Sequence, residues 1–168
     1  DLIRACLDRL EAAVDYVHTE TLKGMNGGKD IWTLMREVQL PEHLTVGVGY
    51  GKVSWAVRTI WETYMGWFKG QQTSELYPTQ PREIHRELVQ LAGIDNVLEL
   101  GHKKLAANDP ESANLYAEAA LACDATHRGA LQLSLAAHRA LLQRSCAINF
   151  WETGWLKTAI EKLEHALG

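Results

Sequence analysis

The amino-acid sequence predicts an all-α protein, an antiparallel helical bundle. Apolar residues make up 46% of the chain, yet there are only four prolines and two phenylalanines, and alanine and leucine dominate. That balance suits helices packed on helices. Apolar residues also recur at alternating gaps of four and three, starting with Ile3, Leu7, Leu10, Val14 and Val17, the spacing of a seam for a neighbouring helix. With 168 residues the chain has room for one domain, or two lobes, and a substantial core, since a domain takes roughly 100–200 residues.

That first amphipathic helix runs from Leu2 to about Met25, where Asn26-Gly27-Gly28 supplies residues that tolerate positive φ. A seam beginning at the third residue, and a start at Asp1-Leu-Ile-Arg without methionine, read as an excised piece whose first helix packs against something upstream. Asp30 is placed to cap a second helix with Ile31, Leu34, Met35 and Val38 on one face, stopping at Leu40-Pro41. Pro41 to Gly51 reads as a connector. Its Gly47, Gly49 and Gly51 have no preceding strand and no following Lys-Ser/Thr, so they fit a flexible lead into the next helix better than a phosphate loop.

Three of the six tryptophans fall between Gly49 and Gly70. At about 100° per residue, Val53, Val57, Ile60, Trp61, Tyr64, Trp67 and Phe68 make one stripe, with Arg58, Thr59 and Glu62 opposite. Trp55 projects to the polar side, where an aromatic of that size needs a second covering surface. Read as G-Y-G-K-V-S-W-A-V-R-x-I-W-x-x-Y-x-G-W-F-x-G followed by Leu76-Tyr77-Pro78, this stretch resembles the opening of the alkyl sulfatase dimerisation domain. That domain is the helical region of bacterial alkyl sulfatases of the metallo-β-lactamase superfamily. The likeness extends over Tyr16 to Asn26, Leu40-Pro41-Glu42 and the chain after Pro81. It implies a helical lead-in over residues 1–48 and a dimerisation domain over 49–168.

After that helix, Gly70 to Pro81 reads as an ordered loop packing Leu76 and Tyr77 against the helices, and Pro81-Arg-Glu-Ile84 opens a short helix that stops at Gly93. From Ile94 the pattern becomes that of a tetratricopeptide-like (TPR-like) helix-turn-helix stack at 94–145. Gly101 occupies the small-residue step, Asn108-Asp109 stands in the turn, and Ala113, Ala120, Leu121 and Asp124 follow at the repeat's spacing. Alanines at such a crossing let two backbones approach while leucines fill the flanks. A second pair, Gly129 to Arg144 and about Cys146 to Leu167, continues it. Ile148, Trp151, Trp155, Leu156, Ala159, Ile160, Leu163 and Leu167 form the stripe of the last helix.

Composition excludes several functions. The net charge is −4 and no basic stripe is present, which argues against nucleic acid. No run approaches the ~18 apolar residues of a membrane span. Cys6, Cys123 and Cys146 are odd in number and far apart, reading as reduced, half-buried thiols. The enzymes that the stretch resembles carry an H-x-H-x-D-H run that binds two zinc ions and activates water. Here the seven histidines are isolated, so neither a catalytic nor a metal residue is assigned.

Two functions follow. The resemblance implies a non-catalytic dimerisation and scaffold region of a zinc-dependent alkyl sulfatase-like hydrolase, with two zinc ions in an absent metallo-β-lactamase-type domain of a bacterial cytoplasmic or periplasmic parent. The partner is then a second copy, through Trp55, Arg58, Glu62, Trp67 and Tyr77; for Trp67 the buried stripe offers a competing place in the core. Tyr50, whose phenol can donate to a sulfate oxygen, is the candidate substrate-side contact, the competing role being a packed ring at a domain edge. The alternative is a stand-alone TPR-like interaction module binding a peptide around Asn114, Glu118 and His127-Arg128.

Overall fold

The computed structural model describes residues 2–168, the side chains at 81 and 82 apart. The described residues form eight α-helices packed antiparallel and no strand. They fall into two compact units, residues 1–77 and 78–168.

In the first unit, α1 (Leu2–Asn26) buries Ala13, Val17 and Thr21, one residue per turn. The Thr21 hydroxyl donates back to the Val17 carbonyl at 2.6 Å, which satisfies it inside the core. The helix stops where expected: Gly28 has φ 76°, and the Gly27, Gly28 and Lys29 amides close back onto the Lys23, Met25 and Gly24 carbonyls. Asp30 then caps α2 (Ile31–Glu37), accepting from the Thr33 amide at 3.0 Å and the Thr33 hydroxyl at 2.8 Å. Ile31, Leu34 and Val38 are buried as the spacing predicts, with Met35 half-buried. One turn of 3₁₀ helix, Glu42–Leu44, interrupts the connector to α3 (Val53–Met65).

The aromatic stripe is shorter in the structure than in the sequence. Val57 and Trp61 are buried on α1 and α2, with Val53 and Ile60 half-buried beside them. Gly66, at φ 69°, ends the helix there, so Trp67 and Phe68 leave the helical register. Trp67 is 74% exposed. Tyr64 is exposed too, its hydroxyl 3.0 Å from His18 Nε2 of α1. The loop that follows is ordered, but not by Leu76 and Tyr77, which are 52% and 63% exposed. Its organiser is Glu75, whose carboxylate accepts from the Lys69, Gln71 and Gln72 amides at 2.7, 3.3 and 3.0 Å.

The second unit comprises α4 (Pro81–Ala92), α5 (Ile94–Ala106), α6 (Pro110–Cys123), α7 (Arg128–Ser145) and α8 (Phe150–Leu167). Each of α5 to α8 packs on the next, and α4 on α6. Its core is built on alanine: Ala113, Ala117, Ala120, Ala130 and Ala137 are fully buried with Leu133 and Leu98. Gly101 is the small step the repeat pattern requires, because a Cβ there would stand 2.5 Å from Leu133 Cδ2 and 3.0 Å from Tyr116 Cβ. Asp109 caps α6 and His127 caps α7. The last helix departs from expectation. Cys146 and Ala147 have φ of 49° and 55° and form the turn, and Asn149 caps α8, which begins at Phe150. Leu156 is buried and Ala159, Ile160, Leu163 and Leu167 are half-buried, whereas Ile148, Trp151 and Trp155 are 62%, 63% and 75% exposed. Cys6 and Cys146 are likewise exposed rather than half-buried.

Candidate functional site

The feature of the first unit most suited to binding is a groove of about 720 Å³ between α1, the connector and α3. Leu10, Val14 and Val17 form one wall; Trp55, Ala56 and Ile60 form the other; residues 46–53 close the end. Lys52 is its only charged lining residue. The Lys52 ammonium sits 5.6 Å from the Trp55 ring centroid, a cation–π contact at the rim. Because the lining is mostly apolar, a matching apolar surface seated there would displace its water favourably, by roughly 25 cal/mol per Å² removed.

The six residues singled out from the sequence are all at least partly exposed, but they do not converge. Tyr50, 76% exposed, and Trp55, 37% exposed, line the same groove. One helical turn further, Arg58 donates from Nε to Glu62 at 3.0 Å, with its guanidinium 5.9 Å from the Trp32 ring and Lys69 Nζ 4.0 Å from Glu62. These are surface pairs, each worth well under ~1 kcal/mol. They fix side chains more than they stabilise the fold. Trp67 stacks in a tilted pair on Phe68, the centroids 5.6 Å apart.

One contributor escaped the sequence reading. Trp32, half exposed, shares Arg58 with Glu62; its place in the i, i+3 pattern of a short helix carried no sign of this. Leu10 and Val14, read from the sequence as part of a seam for a neighbouring element, are 47% and 59% exposed within the unit. Trp61 has the opposite problem. Its indole N–H is buried with no acceptor among the described residues, a cost of about 1–3 kcal/mol that the packing of its ring must offset.

In the second unit the concave-face residues serve the fold. The Asn114 amide donates to Glu118 at 2.7 Å and accepts from the buried Ser134 hydroxyl at 2.9 Å, and His138 Nδ1 lies 2.8 Å from the Ser134 carbonyl. His127 Nδ1 accepts from the Ala130 amide, and Arg128 donates to the Leu167 carbonyl. Carboxylates here are held in their charged forms. The Arg144 guanidinium hydrogen-bonded to Glu111 keeps that carboxyl below its ordinary value, and Ser112 does the same for Asp109. Among the described residues no three His, Cys, Asp or Glu side chains come together to hold a metal. The donor set does not fit a two-zinc centre, and among the described residues no helix is long and apolar enough to cross a membrane.

The family described as alkyl sulfatase dimerisation matches residues 31–164. The chain belongs to that family. It is 32% identical over 155 residues to a linear primary-alkylsulfatase of Pseudomonas sp. (strain ATCC 19151), an alignment covering 89% of this chain and 29% of that protein. The fold is similar to that of the stereoselective inverting sec-alkylsulfatase Pisa1 from Pseudomonas sp., with a TM-score of 0.78 and 24% identity over 92% of this chain and 25% of that one. A double mutant of the sec-alkyl sulfatase PisA1 gives a TM-score of 0.80 at 23% identity, over 90% and 24% of the two chains. The chain therefore spans a quarter to three tenths of the length of these relatives.

Proposed function

We propose that this chain is the non-catalytic dimerisation and scaffold region of an alkyl sulfatase-like zinc hydrolase. Its part is to bring two copies together. Hydrolysis of the sulfate ester belongs to a metallo-β-lactamase-type domain outside this chain, holding two zinc ions. In this reading residues 1–48 are the lead-in from that domain and 49–168 the dimerising region. The observation that carries the reading is the family match across most of the chain, both units included.

The exposed and half-exposed aromatics of the first unit support a self-association surface. Aromatic side chains and arginine beside a half-covered apolar groove are the composition of interface centres. Trp55, Arg58, Glu62, Trp67 and Tyr77 are assigned to the contact between copies, and Tyr50, on the groove lip, to the side facing substrate. The peptide-binding alternative gains no support, since Asn114, Glu118, His127 and Arg128 are engaged in hydrogen bonds within the unit.

Sedimentation equilibrium of the purified chain tests the reading. A dimer is expected, weakened about tenfold or more by Trp55→Glu, as for loss of an interface residue worth over ~1 kcal/mol, with helix content unchanged. A wild-type chain that stays monomeric would sink the reading. Dimers indifferent to the substitution would remove Trp55 from the interface.

A further inference from the structure

The first half of α1 carries an apolar stripe that its own unit leaves uncovered. Ile3, Leu7, Leu10 and Val14 are 70%, 60%, 47% and 59% exposed, and every described residue up to Glu11 is exposed. Their gaps of four, three and four make Ile3 and Leu10 d positions, and Leu7 and Val14 a positions, of a heptad seam. Only from Ala13 and Val17 onward does the helix bury its apolar side within the unit.

The residues flanking that seam select a partner. The e positions are Arg4 and Glu11, opposite in charge, and neither has a hydrogen-bond or ion-pair partner among the described residues. The g positions are Cys6 and Ala13, both small. When two such helices run antiparallel, a layers face d layers. Ile3 then meets the second copy's Val14, and Leu7 its Leu10, which closes four layers. In that register e faces e across one flank and g faces g across the other. Arg4 is set opposite Glu11 of the second copy and Glu11 opposite its Arg4, two opposite-charge pairs, with only small side chains on the second flank. A parallel, in-register pair would set Cys6 opposite Glu11 and leave Arg4 with no partner.

We infer that the exposed half of α1 pairs antiparallel with α1 of a second copy through Ile3, Leu7, Leu10 and Val14, with Arg4–Glu11 pairs fixing register and direction. This deepens the dimerisation reading and rests on it: it extends the surface the two copies share from α3 and the loop after it into the lead-in helix. The arrangement is isologous, as a two-fold dimer requires. Because Leu10 and Val14 also line the groove that holds Trp55, the paired helices continue directly into that groove.

Charge reversal tests it with the full chain. Arg4→Glu and Glu11→Arg each turn both flanking pairs repulsive, and each should weaken the dimer about tenfold at low salt, where exposed pairs are least screened. The double variant should return to near the wild-type dissociation constant. Mixing the two single variants is the decisive arm. In the mixed pair every e position faces an opposite charge, so heterodimers should exceed either homodimer, read by native mass spectrometry of a mass-labelled mixture. Leu7→Asp should abolish the pairing while circular dichroism stays helical.

A dimer that ignores all of these substitutions, with mixtures at statistical proportions, overturns the α1 pairing and leaves dimerisation on the α3 surface intact. A chain monomeric at every concentration overturns the pairing and the dimerisation reading together, and gives the stripe to another occupant.

Discussion

At the scale of single residues, the chain rests on a few positions whose chemistry has no substitute nearby. Asp30 accepts both the amide and the hydroxyl of Thr33, and those bonds, the backbone one first, hold its carboxyl below the ordinary value. Asp30→Ala should destabilise the first unit by about 1 kcal/mol, the usual cost of losing such a cap, measured by urea denaturation. Gly101 is a packing constraint of another kind. A branched side chain there would push aside the end of Leu133 and then meet the Cβ of Tyr116, which cannot give without moving its helix. Gly101→Val should cost about 1–3 kcal/mol by overpacking. Both positions were legible in the sequence: Asp30 precedes an apolar run at cap spacing, and Gly101 stands at the small-residue step of a repeat. Local patterns suffice when the partner is two or three residues away, or when a repeat prescribes it.

Individual helices show where such patterns lose information. In α8 the apolar residues fill a sector too wide for one contact. Periodicity gave Trp151 and Leu156 equal claims to burial, and packing on α7 took the side with Leu156. Leu156→Ala should accordingly cost about 2–4 kcal/mol, while Trp155→Ala should change the stability of the isolated chain by less than about 0.5 kcal/mol; thermal melts of the two variants compare them directly. An equal loss in both would mean that the tryptophan face is covered. In α3 the reason is different. The residues beyond Gly66 continue the 3.6-residue pattern, but the chain turns at Gly66 with positive φ, so Trp67 and Phe68 cannot stay on the buried stripe. A periodicity argument assumes that the helix continues, and a single glycine removes that assumption.

At the scale of the whole molecule, depressed carboxylates make acid a liability, chiefly for the second unit and, through Asp30, for the first as well. Glu111, Asp109, Asp124 and Glu99 of the second unit are all held below their ordinary values, chiefly by hydrogen bonds from Arg144, Ser112, Thr126 and Lys103 respectively. A carboxylate depressed in the folded state contributes stability that is fully present above its unfolded value and is lost as pH falls through its folded one. The second unit should therefore keep its stability from neutral pH down to the ordinary values of 4.5 for Glu and 3.8 for Asp, and lose it progressively below them. Melting temperatures at successive pH values check this, and Glu111→Gln should flatten part of the slope. The sequence by itself determined that the chain is all-α, where most helices begin and end, and its resemblance to the dimerisation region of alkyl sulfatases, because caps, glycines and heptad gaps act over a few residues. Which apolar faces are covered was decided only by the tertiary structure. A side chain on an apolar stripe is buried only when another element lies across it, and for Ile3, Leu7, Trp67, Trp151 and Trp155 none does within the unit.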